Sequence, residues 1–495
     1  MRSSLGILAF LVAWIFATPL LANSVTEADL RTHIAVLASD DFEGRAPGTE
    51  GETKTINYIA ESWKAAGLIP AASDGSWFDP VAMVSRGQGV AKFNFVAKDR
   101  VLRVASDDIV LIGRDATYTK KALPLFFGGY GVMPDGSVID GVAGKAVVIL
   151  LDRPEFAPED MQSPRARREA LAAAGAEAVI MVADSQGEWA AVRRQLLSRS
   201  ISLQTQEKRA PLEGAISSEF AVALVTAAGR DWDKLRQHSK ARAFVGEDLG
   251  IESNLDITTD VRRFDSYNVV GKIKGKTKRS GVVMYMGHWD HLGICEPEGE
   301  ADRICNGAVD NASGIAVLTE VAEALSKKRH DRDIYFVATT GEESGLLGAY
   351  AFADKPALPL DQIVVLLNVD TIAIAPRGAK VTIIGRGTTK LDGVIDSIAK
   401  KAGRRIESST DANAFLQRQD GWALSQKGVP ALMVGGSFAD LDLTQKFLGS
   451  DYHGPNDELT DSTELGGAAE DAMLHIELGK YFANTRKYKR MKTGG

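Results

Sequence analysis

Short apolar runs in the second half of the chain end close to side chains that can bind metal ions. Three such runs occupy residues 282–287, 334–338 and 363–369. Runs of this length without polar alternation are typical of strands buried on both faces of an α/β sheet. The side chains that follow these runs or stand on neighbouring loops are His288, Asp310, Glu342, Glu343, Asp370 and His453. Because ligands of open α/β sheets bind beyond the carboxyl ends of the strands, we expect these side chains to lie close together.

Apolar residues at helical spacing occur on both sides of the middle of the chain. Residues 27–67 read as helix, loop and helix, and helical and strand patterns alternate between residue 266 and about residue 481. The apolar face of the helix predicted after Asp310 consists of Ile315, Leu318, Val321, Ala322 and Leu325. This alternation predicts the α/β class.

Within residues 106–254 the pattern changes to short apolar runs separated by glycine and aspartate. The elements predicted there are strands at 123–127, 146–151 and 178–182 and a helix at 165–174. We expect an inserted β-rich domain with some helix at 106–254, and one further domain made of 23–105 and 255–495. The polar and partly basic stretch 193–209 predicts a solvated, flexible loop.

Composition and charge fit a globular protein of ordinary type. The chain has 495 residues, which is long for one core and favours two domains. A hydrophobic fraction of 45% and a charged fraction of 25% argue against a disordered or fibrous protein. The net charge of -7 gives no electrostatic reason to bind nucleic acid.

The segment 1–22 predicts a secretory signal peptide. Arg2 precedes an apolar stretch from Leu5 to about Leu21, and cleavage is expected after Ala22. An uncleaved membrane anchor is the alternative, although the apolar run is short for a bilayer and Pro19 interrupts its end. We therefore expect a mature protein in the periplasm or secreted, without stable membrane association.

Cys295 and Cys305 are the only cysteines, and both lie between His288 and Asp310. In an exported protein a disulfide is the expected state, and it would hold this loop in place. Zinc binding by the cysteines is the alternative, although each lacks the close CxxC partner of structural zinc sites.

The donor residues suit a pair of zinc ions. Two Zn2+ ions about 3.5–4 Å apart can hold a hydroxide between them, polarise a carbonyl and stabilise the leaving atom of a hydrolysis. Adjacent Glu342 and Glu343 point in different directions at a strand end, so one can bind metal while the other takes a proton from water. Each motif alone has an ordinary structural explanation, such as a solvated Glu-Glu pair or a helix cap at Asp310. Only their succession predicts a metallohydrolase.

The segments that carry the donors match a known pattern. They read GHWDHLG at 287–293, NGAVDNASG at 306–314, GEESG at 341–345, NVD at 368–370 and DYHGPNDE at 451–458. On these segments, together with 39–45 and 144–148, the chain resembles the M28 family of zinc aminopeptidases, in the subgroup with an inserted protease-associated (PA) domain. The resemblance covers nearly the whole mature chain. It implies a mixed twisted sheet with helices on both faces, as in zinc exopeptidases, plus an inserted β-rich PA-like domain.

The resemblance also implies two Zn2+ ions per chain. His288 and Asp370 would hold one ion. Glu343 and His453 would hold the other, and Asp310 would bridge the two.

The remaining roles follow from the same resemblance. Glu342 would be the general base, and Asp290 would orient His288. His291 is an alternative ligand, whereas other histidines such as His475 are expected to be structural or surface residues.

One segment departs from the family pattern. Family members commonly carry Arg-Ser-Asp-His and then a phenylalanine before the strand predicted at 429–434, whereas this chain reads RQDGWAL at 418–424. The proposed ligands are unaffected. The change concerns the wall of the substrate pocket and hence the preferred N-terminal side chain.

The sequence favours an exported di-zinc metalloaminopeptidase that acts on peptides with a free N-terminus, with a metal-bridged hydroxide as nucleophile. A carboxypeptidase or an N-acyl amino acid amidase is the alternative, because such zinc hydrolases share their ligand motifs. Mono-zinc aminoacyl cyclisation is a further reaction open to this fold. A binding protein on a decayed fold would have lost ligands, and none is lost. Oligomeric state, side-chain preference, physiological substrate and native metal stay open.

Overall fold

The computed structural model describes residues 24–98, 100–102, 108–206, 209–277 and 280–490. The predicted signal peptide at 1–22 lies outside these residues, and so do parts of the predicted domain 23–105. No helix in the described part of the chain has the length and apolar character that a membrane crossing requires.

The secondary structure alternates between strands and helices over most of this length. The strands are β1 (Ile69–Pro70), β2 (Phe78–Gly87), β3 (Ala91–Ala97), β4 (Arg100–Leu102), β5 (Ile109–Gly113), β6 (Thr117–Phe127), β7 (Ala146–Leu150), β8 (Ala178–Ala183), β9 (Ser200–Leu203), β10 (Leu212–Ser217), β11 (Glu247–Thr258), β12 (Asp260–Ile273), β13 (Val282–His288), β14 (Gly293–Ile294), β15 (Ile304–Cys305), β16 (Asp333–Thr339), β17 (Ile363–Asn368), β18 (Thr382–Ile384) and β19 (Ala431–Gly435). The helices are α1 (Glu27–Leu37), α2 (Glu50–Ala65), α3 (Pro164–Ala173), α4 (Gln186–Leu197), α5 (Ser218–Ala227), α6 (Trp232–Ser239), α7 (Ser313–Ser326), α8 (Leu347–Asp354), α9 (Asp392–Lys401), α10 (Gly421–Ser425), α11 (Leu441–Leu448) and α12 (Gly466–Phe482).

The first sheet is mixed. Over the described residues it has nine strands in the order β18-β19-β17-β13-β16-β12-β2-β9, with β1 paired to β12. The four central strands β19, β17, β13 and β16 are parallel, whereas β18, β12, β2, β9 and β1 pair antiparallel to their neighbours. The carboxyl ends of three adjacent parallel strands therefore meet at one edge.

Helices cover both faces of this sheet. On β13, Val283 and Tyr285 pack into a core that includes residues of α1, α2, α7, α9 and α12. Met284 and Met286 point the other way and pack against α8 and α10. This alternation explains why the sequence of β13 is apolar throughout, since both faces of the strand are buried. The predicted mixed α/β sheet with helices on both faces is confirmed.

The second sheet belongs to the middle of the chain. In the part of the chain that is described, it has eight strands in the order β4-β3-β11-β6-β7-β8-β10-β5, with β6, β7, β8 and β10 parallel. The strands and the helix predicted from 123 to 182 correspond to β6, β7, β8 and α3. Because β3 and β11 are part of this sheet, it starts at Ala91 and ends at Thr258, beyond both limits of the predicted insert at 106–254.

The stretch 193–209, predicted to be a flexible loop, is structured over most of its length, and the prediction is wrong there. Its first residues complete α4, and Ser200–Leu203 form β9, which pairs antiparallel with β2 at the edge of the first sheet. Met83 faces Leu203 and Arg86 faces Ser200 in this register. A four-residue strand has little signal of its own, because its hydrogen bonds come from a partner over a hundred residues away. The middle of the chain thus contributes a strand to the first sheet.

Candidate metal centre

The ends of three parallel strands bring the predicted donors together. In the register of β13 and β16, His288 lies opposite Thr339, and Glu342 follows Thr339 by three residues. In the register of β13 and β17, Met286 lies opposite Asn368, and Asp370 follows two residues later. Strand pairing alone therefore places these groups at one edge of the sheet.

The first donor cluster contains His288, Asp310 and Asp370, all of which are buried. His288 Nε2 lies 3.2 Å from Asp310 Oδ1 and 3.4 Å from Asp370 Oδ1. Asp310 comes from the irregular turn before α7, in which the Asp310–Asn311 peptide is cis. These are the three groups predicted to surround one zinc ion.

The second cluster shares Asp310 and contains His291 and Glu343, and His453 approaches the same two carboxylates. His453 Nε2 is 2.8 Å from Glu343 Oε2 and 3.5 Å from Asp310 Oδ2. The two oxygens of Asp310 therefore face two different histidines, as a bridging carboxylate requires. His291 Nδ1 lies 2.6 Å from Glu343 Oε1, so His291, the alternative ligand, contacts the opposite oxygen of the same carboxylate.

The spacing of these donors suits zinc. Ligand bonds of about 2.0–2.1 Å in tetrahedral geometry place two ligand atoms about 3.3 Å apart. Three of the five histidine–carboxylate separations are close to this value, at 3.2, 3.4 and 3.5 Å, and the other two are 2.8 and 2.6 Å. Imidazole and carboxylate are the donors that zinc accepts. The donor set thus fits two ions that share Asp310.

The raised pKa values of the two histidines show that the carboxylates of this centre lack compensating positive charge. Burial would lower the pKa of His288, but the carboxylates of Asp370, Glu342 and Asp310 raise it well above its usual range. Burial also opposes protonation of His453, yet hydrogen bonds to Asp310 and Glu343 raise its pKa to about 9. Two divalent cations would supply the positive charge that these protons otherwise supply.

Glu342 stands beside the two clusters without joining either. Burial raises the pKa of Glu342 well above its usual range, and the nearby charges of Glu343 and Asp370 add to this shift while His288 opposes it. Its carboxylate lines a pocket together with Asp310, Asp370 and Tyr452. A glutamate that faces the space between two metal positions can accept a proton from a water molecule bound there.

Asp290 contacts the loops that carry His288 and Glu342. The hydrogen-bond partner of His288 Nδ1 is the main-chain carbonyl of Asp290 at 3.1 Å, whereas the Asp290 carboxylate lies 3.9 Å away. That carboxylate accepts a hydrogen bond from the main-chain N–H of Glu342 at 3.1 Å. Burial raises the pKa of Asp290 to about 7. Asp290 thus links the loop after β13 to the loop after β16.

Sequence reasoning missed the buried groups that hold the ligand loops. Arg45 is 1% exposed and donates to the carbonyls of Leu37, Trp289, Asn306 and Gly307. It therefore joins the loop of His288 to the loop of Asp310. The segment 39–45 was part of the family resemblance, but nothing local in the sequence shows where a buried guanidinium will point.

Asn311 and Asp457 have similar roles. Asn311 Nδ2 donates to the carbonyls of His288 and Val369, each at 3.2 Å, so one amide fixes the ends of two strands. Asp457 accepts from the main-chain N–H groups of Val309 and Asp310 at 2.8 and 3.0 Å. Both contacts are long-range, so the sequence alone gives no sign of them.

The segment that departs from the family pattern lies behind the metal centre and along its pocket. Asp420 is 1% exposed, and Thr339 donates to it at 2.5 Å. Burial raises the pKa of Asp420 to about 6. Arg418 lines the pocket that contains Glu342, and its guanidinium donates to the hydroxyl of Tyr452 at 3.2 Å.

Cys295 and Cys305 form a disulfide with an S–S distance of 2.01 Å. It closes the loop that carries the short strands β14 and β15, between His288 and Asp310. Gly44 packs on this loop so closely that a Cβ atom there would lie 2.4 Å from the carbonyl oxygen of Cys305. The disulfide-bonded loop therefore supports the turn that carries Arg45.

The fold and the donor set together define a metallohydrolase domain. Residues 268–476 match the model of Peptidase family M28, a segment that is less than half of the chain and contains Glu342 and all five proposed ligands. The α/β domain is accordingly a zinc-dependent peptidase domain.

Curated relatives agree with this class over shorter stretches. Aminopeptidase NAALADL1 of Rattus norvegicus is 29% identical over 180 residues, which are 35% of this chain and 21% of the relative. A probable zinc metalloprotease of Pyricularia oryzae is 34% identical over 115 residues, which are 23% of this chain and 22% of the relative. The chain thus spans about a fifth of the length of these relatives.

A solved structure resembles the chain over both sheets. An aminopeptidase from Aneurinibacillus sp. strain AM-1 superposes with a TM-score of 0.57 and covers 93% of this chain and 94% of its own. The sequence identity is 17%, so the likeness concerns the fold.

Proposed function

We propose that this protein is an exported di-zinc aminopeptidase that removes N-terminal residues from peptides with a free N-terminus. The observation that carries the proposal is the position of Asp310. Its two carboxylate oxygens face His288 on one side and His453 on the other, and Glu342 lies in the same pocket.

Each of these residues would have its own role in the reaction. His288 and Asp370 would hold one zinc, Glu343 and His453 the other, and Asp310 both. Zinc ions held there would acidify a water molecule and polarise the peptide carbonyl.

Proton transfer falls to Glu342. Its carboxylate would take the proton of the attacking water and deliver it to the departing amine. Beside two cations the raised pKa of Glu342 would fall, which leaves the carboxylate ready to accept that proton. His291 would orient Glu343 through the contact at 2.6 Å.

The pocket next to Glu342 supports an apolar N-terminal residue in the substrate. Besides the donors and the polar residues Thr371, Arg418, Gln419 and Tyr452, the pocket is lined by five apolar residues, Ile384, Phe415, Met433, Phe438 and Leu448. Apolar side chains gain most from burial against such a wall. The aminopeptidases among the similar proteins also favour removal of N-terminal residues over the alternatives.

Export and the nature of the second domain are part of the same proposal. The signal-like segment 1–22 directs the chain to the periplasm or outside the cell, and the disulfide Cys295–Cys305 is of a kind that persists in oxidising compartments. We assign a PA-like domain to the second sheet, with its parallel core of β6, β7, β8 and β10. Cell fractionation and N-terminal sequencing of the mature protein test export.

The deciding experiment measures hydrolysis of aminoacyl-p-nitroanilides and of their N-acetylated forms by the metal-loaded protein. We expect cleavage of free-amine substrates only, loss of activity on chelation, and about two zinc ions per chain. Glu342→Gln should lower kcat by about 10²–10⁴-fold, because general acid–base catalysis contributes about that factor. Glu323→Gln is the matched control, since Glu323 is half exposed and pairs with Lys327 on α7.

Other results would identify other reactions. Cleavage of the acetylated substrates would favour an amidase, and release of C-terminal residues would favour a carboxypeptidase. Full activity of Glu342→Gln would refute the assigned base.

A further inference from the structure

A cavity of about 910 Å³ lies between the two domains. The second domain lines it with strand β9, with Gln195 of α4, and with arginine and glutamate side chains of α3, of β10 and of the segment before β10 that carries Arg209. The peptidase domain lines it with Ser344, the start of α8 and Gln417. Neither the catalytic base nor any proposed ligand lines this cavity.

The cavity lining nevertheless lies next in sequence to residues of the metal centre and its pocket at two positions. Ser344, on its wall, directly follows the proposed ligand Glu343. Gln417, also on its wall, directly precedes Arg418, which lines the catalytic pocket. The residues of a bound peptide beyond the scissile bond would extend from the metal centre towards this cavity.

The charges in the cavity do not balance. Among the residues that the structure describes, the charged side chains of its lining are three arginines and two glutamates. Glu213, with a side chain that is 7% exposed, lies 3.0 Å from Arg168 and 3.7 Å from Arg209. Arg165 and Glu169 form a separate pair at 2.9 Å. Two guanidinium groups thus share one carboxylate, and one positive charge is left over.

The position of this excess charge suits binding of an anion. Arg209 is 32% exposed and forms the longer contact with Glu213, so it can reach a ligand without losing a short ion pair. Arg168 is 20% exposed, and its Nε is buried without a hydrogen-bond partner. A carboxylate is a matching ligand, because a guanidinium presents several donors to its oxygens.

We propose that this interdomain cavity binds the departing part of the peptide substrate and that Arg209, with Arg168, binds a carboxylate on it. The inference rests on the proposed peptidase function and adds a preference among its substrates. The carboxylate can be an acidic side chain beyond the scissile bond or the C-terminus of a short peptide. Both sources share the same chemistry.

The test compares kcat/KM for tetrapeptides with an N-terminal leucine, which suits the apolar wall of the catalytic pocket. Leu-Ala-Ala-Ala-amide is the neutral reference. Leu-Ala-Glu-Ala-amide adds a side-chain carboxylate, the same reference with a free C-terminus adds a terminal one, and Leu-Ala-Lys-Ala-amide adds a positive charge. We expect the wild-type protein to prefer one or both carboxylate peptides by about three- to fivefold, as for a partly exposed ion pair.

Three variants test whether Arg209 causes this preference for carboxylate peptides. Arg209→Gln should reduce the ratio to about one, and Arg209→Lys should retain most of it. Glu213→Gln removes the competing carboxylate and should raise the ratio. Arg377→Gln is the matched control, because Arg377 pairs with Glu27 at 2.7 Å and does not line the cavity. Salt at about 0.5 M should bring the wild-type ratio towards one through screening.

The outcomes separate the two proposals. A wild-type ratio of about one with active enzyme overturns the carboxylate site and leaves the peptidase function standing. Equal effects of Arg209→Gln and Arg377→Gln also overturn it, because they would reflect net charge alone. If the metal-loaded protein cleaves none of these peptides and none of the p-nitroanilides, the peptidase function fails and the substrate preference with it.

Discussion

Single buried polar residues hold the loops of the metal centre in place. Arg45 donates to carbonyls on both sides of the centre, and Asn311 joins the ends of β13 and β17. Buried donors of this kind fix main-chain positions, because a carbonyl that loses its partner in the interior pays its full desolvation cost. We therefore expect the geometry of the ligands to depend on residues that never touch metal.

The first prediction concerns Arg45. Arg45→Met leaves four buried carbonyls without this donor and should cost about 4 kcal/mol or more, at about 1 kcal/mol or more for each lost partner. The same substitution should change the visible absorption of the cobalt-loaded protein, because the loops of His288 and Asp310 lose their common support. Denaturant unfolding and the cobalt spectrum measure the two effects.

Arg167 provides a matched control in the second domain. It is also fully buried and donates to four carbonyls, those of Tyr130, Leu150, Leu151 and Asp152. Arg167→Met should destabilise its own domain and leave the cobalt spectrum unchanged. An unchanged spectrum in Arg45→Met would show that Arg45 only stabilises the fold.

Strand β9 connects the middle of the chain to the loop of Glu342 and Glu343. Leu203 packs with Val81, Met83 and Leu347 in a small core, and Leu347 begins α8 just after Glu342 and Glu343. Strand β9 therefore supports the loop of Glu342 and Glu343 through an apolar contact. This contact exists only because β9 pairs with β2.

The second prediction concerns this contact. Leu203→Ala should cost about 2–4 kcal/mol, as for other buried leucines, and should speed amide hydrogen exchange in residues 341–347. Local exchange reports local opening of such a segment. Leu255→Ala on β11 is the matched control, since Leu255 is buried in a core of the second sheet. Equal exchange of 341–347 in both variants would contradict a support role for β9.

At the scale of the whole molecule, buried titratable groups make stability depend on pH. His475 on α12 is completely buried, and its Nε2 lies 2.9 Å from the carbonyl of Val434. Burial lowers the pKa of His475 to about 4. Because its ordinary pKa is 6.5, the unfolded chain binds a proton between these values that the folded protein does not bind.

The third prediction follows from the lowered pKa of His475 in the folded protein. The contribution of His475 is complete above about pH 6.5 and decreases as the pH falls towards 4, by about 2 kcal/mol at pH 5. His475→Gln should lack this dependence. Urea unfolding of both proteins at pH 7.5 and pH 5 measures it, and the difference between the proteins cancels the effect of pH on metal binding. Parallel losses in both proteins would exclude His475 as the source.

The apolar pattern predicted most of the first domain because the pattern follows directly from burial. Strand β13 is apolar at every position since helices cover both faces, and α7 shows one apolar stripe since it packs on one side. The donors could be predicted as a group for the same reason. Each follows a strand or stands on a nearby loop, and parallel strands bring their ends to one edge.

Contacts between residues that are far apart in the sequence could not be predicted in this way. The strand β9, the hydrogen bonds of Arg45 and the excess charge near Glu213 all arise from contacts across many residues. A short strand or a lone arginine has the same local sequence whether it is exposed or paired. The sequence by itself determined the fold class and the donor set, because apolar burial and metal-binding side chains are local properties. Only the tertiary structure decided how the second domain attaches and which polar groups hold the site, because such pairing depends on where the chain brings its partners.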